Sequence, residues 1–294
     1  MTDQAQALRQ LASTKFTDST RSASRGSAKI ITVSSGKGGV GKSNFTLNFA
    51  LALKSMGKKV LVFDADIGMA NIDVLMGVSS RFSLYHLLRK EKNIEDVIQY
   101  GPGDLPYIAG GSGIVDMLSL SEENLNFFIS QIERISSEMD YILFDTGAGI
   151  SKENMKFITS ADYCFVVTTP EPTSITDAYA LIKVVHGSYP EVDFSLVVNK
   201  AGDESEARQA SEKIILTANR FLNLDIKMLG YVTDDPFVVK SVKRQIPFSI
   251  AFPTCEATRD VKRLALRYLA VPVPSESGPL TGIKGFMQRW LKRT

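Results

Sequence analysis

One glycine-rich stretch combines the residue types that bind phosphate groups. Gly36–Ser43 reads GKGGVGKS and follows an apolar run that is typical of a strand. Glycines let the backbone curl so that successive N–H groups point at phosphate oxygens, and a helix starting after the loop adds its positive end. Lys42 can reach the β- and γ-phosphates, and Ser43 can ligate Mg²⁺. The match to G-x-x-x-x-G-K-[ST] predicts that this loop binds Mg·ATP. The residues expected to contact the nucleotide phosphates are Gly36, Lys37, Gly38, Gly39, Val40, Gly41, Lys42, Ser43 and Asn44.

Carboxylates follow two further apolar runs. VLVFDAD ends in Asp64 and Asp66, and YILFD ends in Asp145. In a parallel sheet the carboxyl ends of the strands meet at one edge, where ligands bind. Mg²⁺ keeps several waters and takes few carboxylates, so Asp145 is predicted to hold it through its water shell. For Asp64, a helix cap or turn cap remains an alternative.

No other group of residues competes for catalysis. The chain has only two histidines, His86 and His186, and neither has a metal-ligand partner nearby in sequence. We therefore expect catalysis by electrostatic positioning of an attacking water, with slow turnover.

These residues require a sheet to position them. Apolar runs alternate with helical segments from residue 29 to about residue 270, which predicts an α/β fold: a doubly wound, mostly parallel sheet with helices on both faces. The predicted strands are Ile30–Ser34, Val60–Asp64, Leu105–Ile108, Tyr141–Asp145, Tyr163–Thr168, Phe194–Asn199 and Met228–Val232. The predicted helices are Ser43–Met56, Ser121–Glu138, Ser151–Ser160, Thr173–His186, Glu204–Phe221 and Glu256–Ala270.

The sequence divides into four predicted regions. Residues 1–28 form a short helix-forming stretch and a flexible linker, 29–270 the nucleotide-binding domain, 271–281 a second linker, and 282–294 an amphipathic tail. The tail's apolar residues recur at helical spacing beside several cations: Ile283, Phe286, Met287, Trp290 and Leu291. Such a face suits an anionic membrane surface, and packing on the domain's own core is the alternative.

Composition limits the class of protein. The chain has 294 residues, a net charge of +2, 44% hydrophobic residues and two cysteines. The charge disfavours a nucleic-acid-coating protein. With neither an apolar leader nor a membrane-spanning run, the expectation is a cytoplasmic protein that associates reversibly with the inner face of the cell membrane.

The loop SGKGGVGKS resembles the deviant Walker A motif of the MinD/ParA ATPases. The resemblance implies an ATP-bound homodimer in which Lys37 reaches the partner's nucleotide. It also implies that Asp66 orients or activates the attacking water, that Asp64 lies near Mg²⁺, and that the glycine-containing loop after YILFD senses the γ-phosphate. The chain departs from a common family pattern at Asn44, where a second Thr often follows, but the Ser43 hydroxyl is retained.

The same resemblance suggests contacts to the base and ribose. Asn199 corresponds to an adenine-contacting residue, and YVTDDP resembles the loop that passes the adenine. Glu171 resembles a glutamate that touches the partner's ribose, although a charged residue at a helix start is an equal alternative. The implied residues are Asn199, Val232, Asp234, Pro236 and Glu171.

The N-terminal stretch DQAQALRQL resembles that of the FlhG (FleN/YlxH) group of this family. This implies control of flagellar number and placement, contact with flagellar C-ring components, and stimulation of the GTPase FlhF through residues such as Gln4, Gln6 and Arg9. A frayed terminus is the alternative for the segment. For the whole chain, the alternatives are a MinD-type division-site ATPase, a ParA-type DNA-partition ATPase and a metabolic enzyme.

Overall fold

A computed structural model describes residues 28–66, 71–110, 122–270 and 282–292, and a sheet of eight strands organises them. The spatial order is β3-β4-β2-β5-β1-β6-β7-β8, and every pairing is parallel except that of β3 with β4. The strands are β1 (Lys29–Ser35), β2 (Val60–Ala65), β3 (Gln99–Gly101), β4 (Leu105–Ile108), β5 (Tyr141–Ala148), β6 (Tyr163–Thr168), β7 (Phe194–Ala201) and β8 (Lys227–Thr233).

Helices cover both faces of the sheet because its central strands are apolar on both sides. On β1, Ile31 and Val33 pack toward one face and Ile30 toward the other. The helices are α1 (Lys42–Ser55), α2 (Ile72–Met76), α3 (Leu84–Leu88), α4 (Ile94–Val97), α5 (Glu122–Ser136), α6 (Lys152–Ser160), α7 (Pro172–Ser188), α8 (Glu204–Leu222), α9 (Pro236–Arg244), α10 (Phe248–Ala251), α11 (Glu256–Ala270) and α12 (Gly282–Lys292). One face carries α1 and α11, and the other carries α5 to α8 and α12.

The predicted doubly wound, mostly parallel sheet is confirmed, and every predicted strand and helix is present with its ends within three residues. The edge strand β3 and the short helices α2, α3, α4, α9 and α10 were not predicted from the sequence. These elements have three to nine residues. Such lengths are too short for a clear hydrophobic period to develop.

The amphipathic tail is α12, and its apolar face is buried in the domain. Ile283, Phe286, Met287 and Trp290 are each only 2% exposed. The Phe286 ring stacks on Phe144 with centroids 5.0 Å apart. In the described conformation the helix therefore packs on the domain's own core, contrary to the expectation of a face free for a membrane. The helical periodicity of the tail is confirmed, but an apolar face of this kind fits either a protein core or a membrane.

A polar contact fixes the far end of α12. The Arg289 guanidinium donates to the Ser160 carbonyl, at 2.6 Å from Nη2, and to the Asp162 carboxylate at 3.0 Å. Asp162 also accepts a hydrogen bond from the backbone N–H of Ile30, at the start of β1. This end of α12 thus lies at the sheet edge opposite the carboxyl ends of the strands. Within the described residues, no helix combines the length and the apolar character needed to cross a membrane.

Candidate nucleotide-binding site

The phosphate loop connects β1 to α1 as predicted, and two of its glycines have conformations that other residues rarely adopt. Gly39 and Gly41 have φ angles of 81° and 88°. A Cβ atom on Gly41 would also lie 2.3 Å from the Asn199 side-chain nitrogen. Glycine at position 41 is therefore required both by the backbone conformation and by the close neighbour.

Lys42 and Asp145 meet at the centre of the site. The Lys42 ammonium lies 2.8 Å from Asp145 Oδ1, and both side chains are buried. Thr46, one turn further along α1, donates to the same oxygen at 2.8 Å. Lys42 also lies 3.3 Å from the Ser43 hydroxyl. Thr46 was not predicted as a site residue, although its i+4 spacing from Lys42 on a helix could have indicated it.

The donor set at this point fits a hard divalent cation. Asp145 Oδ2 is buried and has no hydrogen-bond partner. A buried carboxylate oxygen without a partner is costly, and a cation or its water shell would satisfy it. Ser43, at the start of α1, would supply a hydroxyl oxygen. These residues fit Mg²⁺, and their role as its ligands remains a prediction.

Asp64 lies beside Asp145 in the register of β2 and β5. Its Oδ1 accepts the N–H of Asp66, and its Oδ2 accepts those of Asn71 and Ile72. Burial, reinforced by the neighbouring Asp145 charge, raises the pKa of Asp64 to about 7. The structure thus gives Asp64 the capping role that the sequence left open. A Mg²⁺ contact by Asp64 stays a prediction.

Asp66 lies close to the carboxyl end of β5. A Cβ atom built on Gly147 would be 3.5 Å from Asp66 Oδ1. Asn154, in the first turn of α6, donates to the carbonyls of Ala148 and Gly149 at 3.3 and 3.1 Å. The predicted water-orienting carboxylate and the predicted γ-phosphate-sensing loop are therefore neighbours. Asn154 had no signal in the sequence beyond its position after the capping residue of α6.

Lys37 points along the rim of the loop. Its ammonium lies 2.7 Å from Glu171 Oε2 and 2.9 Å from the Thr173 hydroxyl, at the start of α7. Through this hydrogen bond and its charge, Lys37 lowers the pKa of Glu171. Both side chains remain accessible, at 30% for Lys37 and 64% for Glu171. Contact of either residue with a partner chain remains a prediction.

The predicted base-contacting residues lie together at the ends of β7 and β8. Asn199 and Val232 are paired in register. Asp234 is exposed, and its N–H donates to the Ala201 carbonyl at 2.8 Å. Pro236 begins α9. The Asn199 side chain, however, donates to the Val40 carbonyl at 2.7 Å, so it contacts the phosphate loop.

Some predicted residues lie outside the described part of the chain. They are the candidate partner-binding residues Gln4, Gln6 and Arg9. Leu291 lies in α12, but its side chain is outside the described atoms. Asn44 lies in the first turn of α1, where its carbonyl accepts a hydrogen bond from Asn48.

Comparisons with known proteins agree with this arrangement. Residues 28–196 match the family model described as an AAA domain. The antiactivator FleN of Pseudomonas aeruginosa is 34% identical over 89% of this chain and 92% of its own length. The flagellum site-determining protein YlxH of Helicobacter pylori is 36% identical over 91% of each chain. The septum site-determining protein MinD of Pyrococcus horikoshii, solved as a complex with Mg-ADP, is 25% identical with a TM-score of 0.65 over 81% of this chain and 94% of its own.

Replacing Gly36 by alanine tests the packing of the loop. A Cβ atom there would lie 2.2 Å from the Asp177 carbonyl carbon and 2.5 Å from the Ala178 nitrogen, both in the backbone of α7. Because backbone atoms cannot rotate away, we expect Gly36→Ala to lower the free energy of unfolding by about 1–3 kcal/mol in urea titrations without nucleotide. Gly38→Ala is the matched control, since its Cβ would meet nothing within 4 Å. Its effect should stay within about 0.5 kcal/mol. Equal effects of the two variants would contradict this description of the loop.

Proposed function

Because the chain belongs to the family of MinD/ParA-like P-loop ATPases, together with the flagellar proteins FleN and YlxH, we propose that it is an ATP-dependent dimerising switch that regulates flagellar number or placement. The observation that carries the proposal is the second lysine of the phosphate loop. Lys42 already serves the protein's own site, whereas Lys37 lies on the rim and is partly exposed. A phosphate held by a second copy of the chain would compete with Glu171 for the Lys37 ammonium.

The ATPase chemistry follows from the groups around the loop. Ser43 and Asp145 would hold Mg²⁺, which when bound supplies positive charge to the phosphate oxygens. Lys42 would then exchange Asp145 for the phosphates. Asp66 would orient the attacking water against the loop after β5. Asp64 is engaged with backbone N–H groups and Asp145 with Lys42, so Asp66 would orient the water alone, and we expect slow hydrolysis without a partner protein.

We further propose that α12 leaves its groove and binds an anionic membrane in the ATP-bound dimer. Burial of each of its four large apolar side chains stabilises the docked helix by about 1.5–3 kcal/mol. A lipid surface offers these side chains a comparable environment. Two helices held in one dimer also bind a surface far more tightly than one. Once the first helix is bound, the second is held close to the same surface at a high effective concentration.

Helix α6 is a physical link between the two sites. At its first turn, Asn154 holds the loop that follows β5. At its last turns, Phe157 contacts the Trp290 ring at 4.5 Å and the Ser160 carbonyl accepts from Arg289. A displacement of the nucleotide-sensing loop would therefore reach the contacts of α12 through this single nine-residue helix.

The DNA-partition alternative loses support from the contacts of the basic helix α11. Arg259 and Arg263 pair with Glu256 and Asp260 on the same helix. Arg267 donates to the Leu229 carbonyl at 2.9 Å. Three of the four cations of this helix are thus engaged within the protein.

Vesicle sedimentation tests the switch. The Asp66→Ala chain, which should retain ATP, is expected to sediment with vesicles of phosphatidylglycerol and phosphatidylcholine in Mg·ATP and to stay in the supernatant in Mg·ADP. Lys37→Ala should abolish the ATP-dependent fraction, and so should Phe286→Ala, because they remove dimerisation and membrane contact respectively. Gln288→Ala, on the exposed side of α12, is the matched control for Phe286. Equal sedimentation of the Phe286 and Gln288 variants would contradict membrane binding through α12.

The N-terminal segment is proposed to stimulate the GTPase FlhF, and flagellar C-ring components are proposed as further partners. The support is the similarity to FleN and YlxH over about nine tenths of the chain. Adding a peptide of residues 1–25 to FlhF should raise its GTP hydrolysis, and changing Gln4, Gln6 and Arg9 to alanine should remove the effect. A scrambled peptide of the same composition is the control. Stimulation by the scrambled peptide, or none by peptide and intact chain alike, would contradict this role.

A further inference from the structure

Two consecutive carbonyls of the phosphate loop are held by two consecutive side chains at the end of β7. The Asn199 amide donates to the Val40 carbonyl at 2.7 Å, and the Lys200 ammonium donates to the Gly39 carbonyl at 2.9 Å. Strand β7 lies two strands away from β1, so this support comes from a part of the sheet remote in sequence. It is additional to the Lys42, Ser43 and carboxylate groups described above.

A phosphate loop needs such donors for a geometric reason. When the N–H groups of a loop converge on an anion, the carbonyls of the same peptide units point outward. Outward carbonyls must find donors, or the loop turns toward conformations that satisfy them in other ways. A hydrogen bond from a charged ammonium is stronger than one from a neutral donor. Lys200 is therefore well suited to hold the peptide unit between Gly39 and Val40. In that orientation the Gly39 carbonyl points outward and the Val40 N–H points toward the anion.

The backbone at Lys200 adopts an unusual conformation that places this side chain. Its φ angle is 55°, in the left-handed region that costs an L-residue free energy and that glycine adopts readily. The register between β7 and β8 is irregular here. Asn199 pairs with Val232 and Ala201 with Thr233, so the register skips Lys200. Irregularities of this kind re-aim a side chain. The Lys200 stem lies over the loop, with Cε 4.0 Å from a Cβ atom built on Gly41.

From these observations we propose that Lys200 is a positioning residue for nucleotide binding, which holds the phosphate loop in its anion-binding shape by donating to the Gly39 carbonyl. The inference rests on the proposed binding of ATP at this loop. Since Lys200 acts on the loop backbone, its removal should weaken binding of the phosphate chain itself. The base and ribose should have little influence on the size of the effect.

Titration calorimetry with Mg·ATP and with magnesium tripolyphosphate, which lacks the nucleoside, tests this proposal. Lys200→Met keeps most of the stem but removes the donor, and should weaken both ligands by the same factor, roughly tenfold. Lys200→Arg should restore most of the affinity, because it retains a charged donor. Lys240→Met is the control for net charge, since Lys240 lies on α9 over the Phe237 ring and not on the loop.

Lys200→Gly separates positioning from general stability. Glycine removes the donor but accepts the left-handed backbone, so this variant should unfold at a higher urea concentration than Lys200→Met while binding tripolyphosphate equally weakly. The proposal would be overturned if affinity for the two ligands followed unfolding stability across the variants. It would also be overturned if Lys200→Met left the affinity unchanged, or if Lys240→Met reduced the affinity as much as Lys200→Met. Failure of the unmutated chain to bind either ligand would instead show that the proposed nucleotide site is wrong, and the inference would fall with it.

Discussion

The buried contact between the Lys42 ammonium and the Asp145 carboxylate constrains the rest of the site. It joins the phosphate loop after β1 to the end of β5, its neighbour in the sheet. A buried charge that loses its partner costs several kcal/mol, so neither group can be released alone. Phosphate and a hydrated cation, arriving together, would give each a new partner. Thr46 stays on Asp145 Oδ1 while Oδ2 is without a partner, which leaves one oxygen available for that exchange.

The loops around this pair are held by side chains from several elements. Asp64 on β2 accepts three N–H groups of the segment that contains Asp66, Asn154 on α6 holds the loop after β5, and Asn199 and Lys200 on β7 hold the phosphate loop. The central strands are buried, so we expect a nucleotide-dependent movement in these loops and in the helices attached to them. Of those helices, α6 contacts both the loop after β5 and α12. A nucleotide-dependent change can therefore leave the sheet intact and still alter a surface at its opposite edge.

How far the sequence could predict this site depended on whether the signal was local. The loop between β1 and α1, the strand that carries Asp145 and the alternation of strands and helices all have signals within short windows, and their positions were predicted correctly. Lys200 could not be predicted, because its role depends on a strand irregularity and on a carbonyl 161 positions away in the chain. Asn199 was assigned to the base by resemblance, yet its visible contact is with the loop. The stripe of α12 predicted an apolar environment but could not distinguish lipid from the groove formed by Phe144 and Phe157, because both remove the same surface from water.

The central claim is that the state of the nucleotide controls the docking of α12. Amide hydrogen exchange of residues 282–292, followed by mass spectrometry in the full-length Asp66→Ala chain, tests it most directly. We expect slow exchange in Mg·ADP, as for a docked helix, and much faster exchange in Mg·ATP under conditions where the chain dimerises. Equal protection in both nucleotides, with dimerisation verified in the same sample, would show that α12 is a fixed part of the core and would contradict the account.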